Sequence, residues 1–302
     1  GEIMLFHNKT EITHAEATVQ GRAKINLTLD VTGRRDDGYH TVKMVMQSVT
    51  LHDTVKVEIT HGEKKPRGIV LSCNLPYLPL DEHNLAYRAA DLFYQQTGTL
   101  LETCEIHIEK RIPVAAGLAG GSTDAAAVLR ALNTLHETGL TNDELCEMGL
   151  KLGADVPYCL RGGTMLAEGI GEELTALSPM PHCWVVLCKP PFGVSTKEVY
   201  TEIDAIELKH RPDTAGMIRA LENSDFAGVC KRLSNVMELV TATKRRQIGE
   251  IKACLEENGA DGTLMSGSGP TVYGLFSDEG RAKTAAKMLS RRFADTFLTE
   301  TV

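Results

Sequence analysis

Residues 112–133 read IPVAAGLAGGSTDAAAVLRALN. Just before them, residues 103–109 alternate, with Cys104, Ile106 and Ile108 on one face, which predicts a strand. From about Ser122 to His136, alanine, valine and leucine recur at helical spacing and predict a helix. A strand therefore passes into a helix through Pro113, Val114, Ala115, Ala116, Gly117, Leu118, Ala119, Gly120, Gly121, Ser122 and Thr123. Small residues let a backbone approach a ligand closely, and glycine adopts conformations that other residues resist. A helix start offers unpaired N–H groups and the positive end of a dipole, which attract anions. Ser122 can cap the helix or donate to a phosphate. Two readings stand side by side: a phosphate-binding loop, and a tight strand-to-helix turn leading into an alanine-rich packed helix. No lysine follows the glycines, so this is not a Walker A loop. Ala119 fills the second glycine position of G-x-G-x-x-G, which excludes that motif too.

Upstream, residues 17–31 read ATVQGRAKINLTLDV. Odd positions are apolar or small and even positions are polar, which predicts a half-buried strand. Lys24 and Asn26 then share its polar face. GRRDDGYH (33–40) reads as a polar turn, with strands expected at 42–49, 54–60 and 68–72 and a helix over 83–97. Thr141 and Glu144 form a capping-box pattern for a helix ending near Gly153. A strand is expected at 163–168. A second domain begins near residue 173, with a strand at 182–188 and helices near 196–204, 213–223, 225–239 and 245–258. Strands at 262–266 and 271–276, a helix at 278–292 and a strand at 295–301 complete it. Interspersed helices and hairpin-like strand pairs predict an α+β fold in two layers.

A chain of 302 residues suggests two domains. With 42% hydrophobic and 24% charged residues it has ordinary globular composition, which excludes wholesale disorder and a disulfide scaffold. Its 32 basic and 40 acidic side chains give a net charge of −8, so no general attraction draws it to nucleic acid or an anionic membrane. Trp184 to Cys188 is typical of its longest apolar runs, far short of the roughly 20 residues that span a bilayer. The first residues lack a signal-peptide pattern, and residues 1–17 read as a tag or extension. Eight scattered cysteines without CxxC or zinc spacing read as reduced, cytosolic and mostly buried.

Single ionisable residues are ambiguous by pattern. Lys24 reads as an edge charge or a catalytic group, and Asp155 in GADVP as a helix cap or a base. His40 beside Tyr39 reads as a solvated ring or a ligand contact. Ser266-Gly267-Ser268-Gly269-Pro270 reads as a turn or a ligand loop.

Five segments taken together are more specific. GRAKINLTLDV (21–31), DDGYHTV (36–42), the loop segment 112–133, LGADVPYCLRGGTMLAEGIGE (152–172) and LMSGSGPTVYGLF (264–276) stand in the order found in the GHMP superfamily of small-molecule kinases, which this sequence resembles. Ser122-Thr123 departs from the family's commoner Ser-Ser pair, and Gly21-Arg22 replaces a pair of small residues.

The resemblance implies a two-lobed α+β kinase: an N-terminal domain like domain 2 of ribosomal protein S5 over 1–172, and a ferredoxin-like domain over 173–302. It implies transfer of the ATP γ-phosphoryl group to an alcohol carrying a cytidine diphosphate group. Asp155 corresponds to the catalytic base and Lys24 to the lysine that keeps it ionised and orients the hydroxyl. Pro113 to Thr123 would hold ATP, with Asn84 and Lys110 near the adenosine. Asn26, Tyr39, His40, Thr196 and Tyr200 would bind the substrate, Tyr39 and His40 recognising cytosine. ATP chemistry implies Mg²⁺, with no protein ligand assigned and Asp124 the nearest carboxylate. Cysteine usage and net charge add a cytoplasmic location with no nucleic-acid or membrane partner, and the chain is expected to be a monomer or weak homodimer. Kinases for homoserine or mevalonate are the alternatives, and they have no use for a cytosine clamp.

Overall fold

The computed structural model describes residues 3–7, 13–62 and 67–302. The chain forms two compact units, each assembled from three segments. The first takes Gly1–Arg22, His52–Ile112 and Ala119–Arg161, and the second takes Ala23–Leu51, Pro113–Leu118 and Gly162–Val302.

In the first unit, β1 (Ile3–His7) pairs antiparallel with the start of β2 (Thr13–Arg34). Of the stretch read as a tag or extension, residues 1–2 and 8–12 lie outside the described residues, and the remainder is strand. The later part of β3 (His40–His61) runs antiparallel to β5 (Thr103–Glu109), and β5 runs parallel to β4 (Gly68–Cys73). Helices α1 (Leu85–Thr97) and α2 (Gly120–Leu135) pack together, as do α3 (Asn142–Leu150) and α4 (Val156–Arg161). Ala125, Ala126 and Ala127 of α2 are buried, as are Ala86, Ala89 and Ala90 of α1. Small side chains of this kind allow close helix contact. The expected capping box of α3 is present: the Thr141 hydroxyl accepts from the Glu144 N–H while the Glu144 carboxylate accepts from the Thr141 N–H.

In the second unit, the early part of β3 runs antiparallel to β6 (Thr164–Glu168), which pairs with β7 (Glu173–Ala176). A separate antiparallel sheet has the order β10 (Gly262–Met265), β11 (Val272–Phe276), β8 (Trp184–Lys189), β12 (Asp295–Glu300). Helices α9 (Arg246–Glu257) and α10 (Glu279–Ser290) pack on it. The short β9 (Ser234–Asn235) runs parallel to β2. The remaining helices are α5 (Thr196–Asp204), α6 (Thr214–Glu222), α7 (Phe226–Lys231) and α8 (Val236–Lys244).

Four expectations are corrected. The strand around Lys24 is not half-buried: residues 23–31 are buried on both faces. The two strands expected at 42–49 and 54–60 are one strand, β3, and Asp53 between them finds its partners inside the protein. The single helix expected at 225–239 is α7 and α8, interrupted where Ser234 and Asn235 pair with β2. Helix α2 begins at Gly120, so Ser122 lies inside its first turn and is not its cap.

Candidate active site

From Lys24 to Asp30 the polar face of β2 is buried, and the polar side chains on it find partners inside the protein. The Lys24 ammonium donates to Asn26 Oδ1 at 2.7 Å, and that oxygen also accepts from the Gly267 N–H at 3.0 Å. The Tyr273 hydroxyl donates to the Asn26 carbonyl at 2.6 Å. The Thr28 hydroxyl oxygen accepts from the Val45 N–H, and the Asp30 carboxylate accepts from Arg211. A two-residue spacing on a strand puts Lys24 and Asn26 side by side, and the Gly267 amide orients the amide that meets the lysine.

Residues 113–118 are held in the second unit. The Lys24 N–H donates to the Leu118 carbonyl and the Thr271 N–H to the Ala116 carbonyl, both at 3.2 Å. The Ser266 hydroxyl donates to the Gly117 carbonyl at 2.9 Å. Gly117 has φ +82°, and a Cβ there would fall onto the Ser266 carbonyl oxygen. Both facts demand glycine. The turn at 266–269 is itself fixed by Asn235, whose amide donates to the Met265 and Gly267 carbonyls at 2.9 and 2.8 Å.

In the first unit the same loop opens helix α2. Ala119 caps it in a left-handed conformation and supplies no side-chain bond to the first N–H groups. Gly121 is exposed and Ser122 half-buried. Among the described residues the first N–H groups of this helix have no partner, the arrangement that binds phosphate.

Asp155 lies in the turn between α3 and α4. Its backbone carbonyl accepts from the Cys159 N–H at 3.0 Å. The residue is half-buried, and among the described residues its carboxylate takes no hydrogen bond or ion pair. It keeps both oxygens available as acceptors.

Asn84 and Lys110 hold the first unit together. Asn84 caps α1, its Oδ1 accepting from the Ala86 N–H while its amide donates to the Pro79 carbonyl. Lys110 is buried and donates to Asp53 at 2.6 Å and to Asp124 at 3.0 Å. Burial alone would lower the Lys110 pKa, but the charges of Asp124 and Asp53 outweigh it and raise it. Burial pushes the Asp124 carboxyl well above the usual carboxylate range, and Lys110 offsets only part of this. Among the described residues Asp124 Oδ1 is buried without a partner.

Of the aromatic candidates, His40 and Tyr200 meet in the second unit and Tyr39 does not join them. Tyr39 is 61% exposed and contacts no other ring among the described residues. The His40 imidazole stacks on Tyr200, with centroids 4.4 Å apart and planes at 18°. Its Nε2 lies 2.9 Å from both carboxylate oxygens of Asp204. Tyr200 and Asp204 are one turn apart on α5 and so share a face. Nothing in the local motif singled out Asp204, although its spacing from Tyr200 was a usable signal. Thr196, at the first position of α5, shares a hydrogen bond with Ser268 at 2.8 Å.

All eight cysteines are free. Burial pushes the thiols of Cys104, Cys183, Cys188 and Cys230 up to about 12, which leaves them poor nucleophiles. Among the described residues no helix is long and apolar enough to cross a membrane.

Comparison with known proteins gives the family. Residues 84–163 match the GHMP kinases N-terminal domain and residues 217–295 the GHMP kinases C-terminal domain. A 4-diphosphocytidyl-2-C-methyl-D-erythritol kinase of Clostridium botulinum is 48% identical, over 94% of this chain and 99% of its own length. One from Alkaliphilus metalliredigens is 44% identical, over 94% of this chain and 96% of its own. The crystal structure of a 4-(cytidine 5'-diphospho)-2C-methyl-D-erythritol kinase superposes with a TM-score of 0.79 at 32% identity, covering 94% of this chain and 99% of that one. A homoserine kinase from Cytophaga hutchinsonii has the same fold, with a TM-score of 0.73 at 17% identity over 99% and 97% of the two chains. The chain is a small-molecule kinase that belongs to the GHMP kinase family and, within it, to the 4-diphosphocytidyl-2-C-methyl-D-erythritol kinases.

Proposed function

We propose that this kinase transfers the γ-phosphoryl group of ATP to the 2-hydroxyl of 4-diphosphocytidyl-2-C-methyl-D-erythritol, a step in isoprenoid precursor biosynthesis. Identity of 48% along nearly the whole of a relative with that name carries the reading. The stacked His40 and Tyr200 support it, because a flat ring beside an imidazole suits a pyrimidine and has no use in a kinase for a small aliphatic alcohol.

Asp155 accepts the proton of the substrate hydroxyl. The oxygen then attacks the γ-phosphorus, the bond to the β-phosphate oxygen breaks, and ADP leaves. Lys24 orients the hydroxyl and meets negative charge on the transferred group. Phosphoryl transfer asks chiefly for positioning and charge neutralisation. The loop from Pro113 to Thr123 holds ATP, with the backbone N–H groups at the start of α2 and the Ser122 hydroxyl meeting its phosphates. Asn84 and Lys110 act at the nucleoside end through the backbone that they fix. Asn26 and Thr196 contact the substrate, and Tyr39, His40 and Tyr200 hold its cytosine. Mg²⁺ accompanies ATP, but Asp124 does not suit it: the carboxyl is buried, and one oxygen is bound to Lys110. The ion would be held by phosphate oxygens and water. We also propose a functional division near residue 172, supported by the two family matches falling on either side of it.

An ADP-release assay with Mg-ATP tests the reading on three alcohols: 4-diphosphocytidyl-2-C-methyl-D-erythritol, homoserine and mevalonate. Turnover of the cytidyl substrate alone is expected. Turnover of another alcohol in its place would keep the kinase and overturn the substrate.

A further inference from the structure

The imidazole of His40 is fixed in two independent ways by one helix. Tyr200 sets the plane of the ring by stacking. Asp204, one turn later on α5, sets its rotation by offering two oxygens to Nε2, each at 2.9 Å. Arg34 lies 3.5 Å from the same carboxylate and forms an ion pair with it. A carboxylate only accepts, so Nε2 must carry a proton. In the neutral ring Nδ1 is then a bare acceptor. Cytosine presents an exocyclic amine, a donor, at the ring position where uracil presents a carbonyl, an acceptor. An acceptor fixed on the protein attracts the first and repels the second.

We propose that Asp204 is a positioning residue that fixes the protonated nitrogen of His40 and so makes the substrate site select cytosine over uracil. This rests on the reading that the cytidyl group binds at His40. The mechanism is one of specificity by mismatch: a uridyl substrate would set its carbonyl against the Nδ1 lone pair with no proton between them.

The test uses the intact protein and its Asp204→Ala and Asp204→Asn variants. Nitrogen-15 NMR of the histidines reads which nitrogen of His40 carries the proton, without any ligand. Steady-state kinetics with the cytidyl substrate and its uridyl analogue read the selectivity. The wild type is expected to show protonated Nε2 and bare Nδ1. Asp204→Ala is expected to give a mixed tautomer, to raise KM for the cytidyl substrate about tenfold, roughly the worth of one hydrogen bond, and to cut the preference over the uridyl analogue by a similar factor. KM for ATP and kcat should change by less than about twofold, a split that loss of folding would not give. Asp204→Asn keeps an acceptor oxygen without the charge and should fall between. An unchanged tautomer or unchanged selectivity in Asp204→Ala overturns the inference, as does a doubly protonated ring in the wild type at assay pH. Should the wild type fail to phosphorylate the cytidyl substrate, the substrate reading falls and takes the selectivity with it. Normal cytidyl turnover with an indifferent Asp204→Ala sinks the inference alone.

Discussion

Asp53 is fully buried in the middle of β3, in a stretch that reads as a break between two strands. The carboxylate tolerates burial because it accepts three hydrogen bonds: from the Arg111 and Ile112 N–H groups on Oδ1 at 2.7 and 2.9 Å, and from Lys110 on Oδ2 at 2.6 Å. Asp53→Ala leaves a buried ammonium facing only Asp124 and strips two amides of their acceptor. Breaking a buried pair from one side costs about 3–5 kcal/mol, so urea unfolding should show a loss of that order. A loss below about 1 kcal/mol would mean that water enters the site freely. Asp155 gives the opposite expectation. Its carboxylate supports no neighbour among the described residues, so Asp155→Asn should leave stability within about 0.5 kcal/mol. As the proposed base its loss should cut kcat by about 10²–10⁴-fold, with KM for ATP nearly unchanged. Near-normal kcat would remove it from that role. The contrast shows what a sequence tells at this scale. Lys24 and Asn26 are two residues apart, and strand periodicity alone makes them neighbours. His40 and Asp204 are separated by 164 positions, and no local pattern connects them.

At the scale of elements, periodicity located strands and helices well wherever one face was dry and the other wet. It failed where burial was two-sided or where a polar side chain replaced solvent. Residues 225–239 carry enough apolar spacing for one helix, yet Asn235 ends that possibility. Its Oδ1 accepts from the Met237 N–H and starts α8, while its amide spans the Met265 carbonyl at the end of β10 and the Gly267 carbonyl in the turn that follows. The two readings predict opposite signs. In mid-helix, Asn235→Ala would stabilise by about 0.5 kcal/mol through helix propensity. In the observed structure it removes a cap worth about 1 kcal/mol and leaves two buried carbonyls unanswered, for a total loss of about 2–4 kcal/mol. Chemical denaturation distinguishes a gain from a loss of this size. The exposed Asn223→Ala is the control and should change little.

For the whole molecule, the order of five motifs was enough to indicate the kinase fold. The assembly of each compact unit from three chain segments was not readable, because each of β2 and β3 contributes to both units and strand length beyond one unit leaves no local mark. Acid stability is a property at this scale, and one residue makes it testable. His136 lies 2.8 Å from the Tyr94 hydroxyl and stacks near Phe93. Burial, helped by the nearby His61, lowers its pKa from 6.5 to about 4. The unfolded chain therefore binds a proton at this residue near pH 6.5, while the folded chain resists it until near pH 4. Stability is full above the higher value, declines as pH falls between the two, and has lost this contribution entirely below the lower one. Since the ring is only half-buried, solvent screening reduces the effect to about 1–2 kcal/mol. Asp124 has the opposite sign, because a carboxyl whose pKa is raised by burial favours the folded state at low pH and loses that advantage as pH rises. It is present in both proteins of the comparison and cancels. Urea unfolding of the wild type and of His136→Gln at pH 7.5 and pH 4.5 should thus give a stability gap that shifts in favour of the variant by about 1–2 kcal/mol on acidification. A gap that stays constant with pH would mean that His136 takes up its proton as readily in the folded protein as in the unfolded chain.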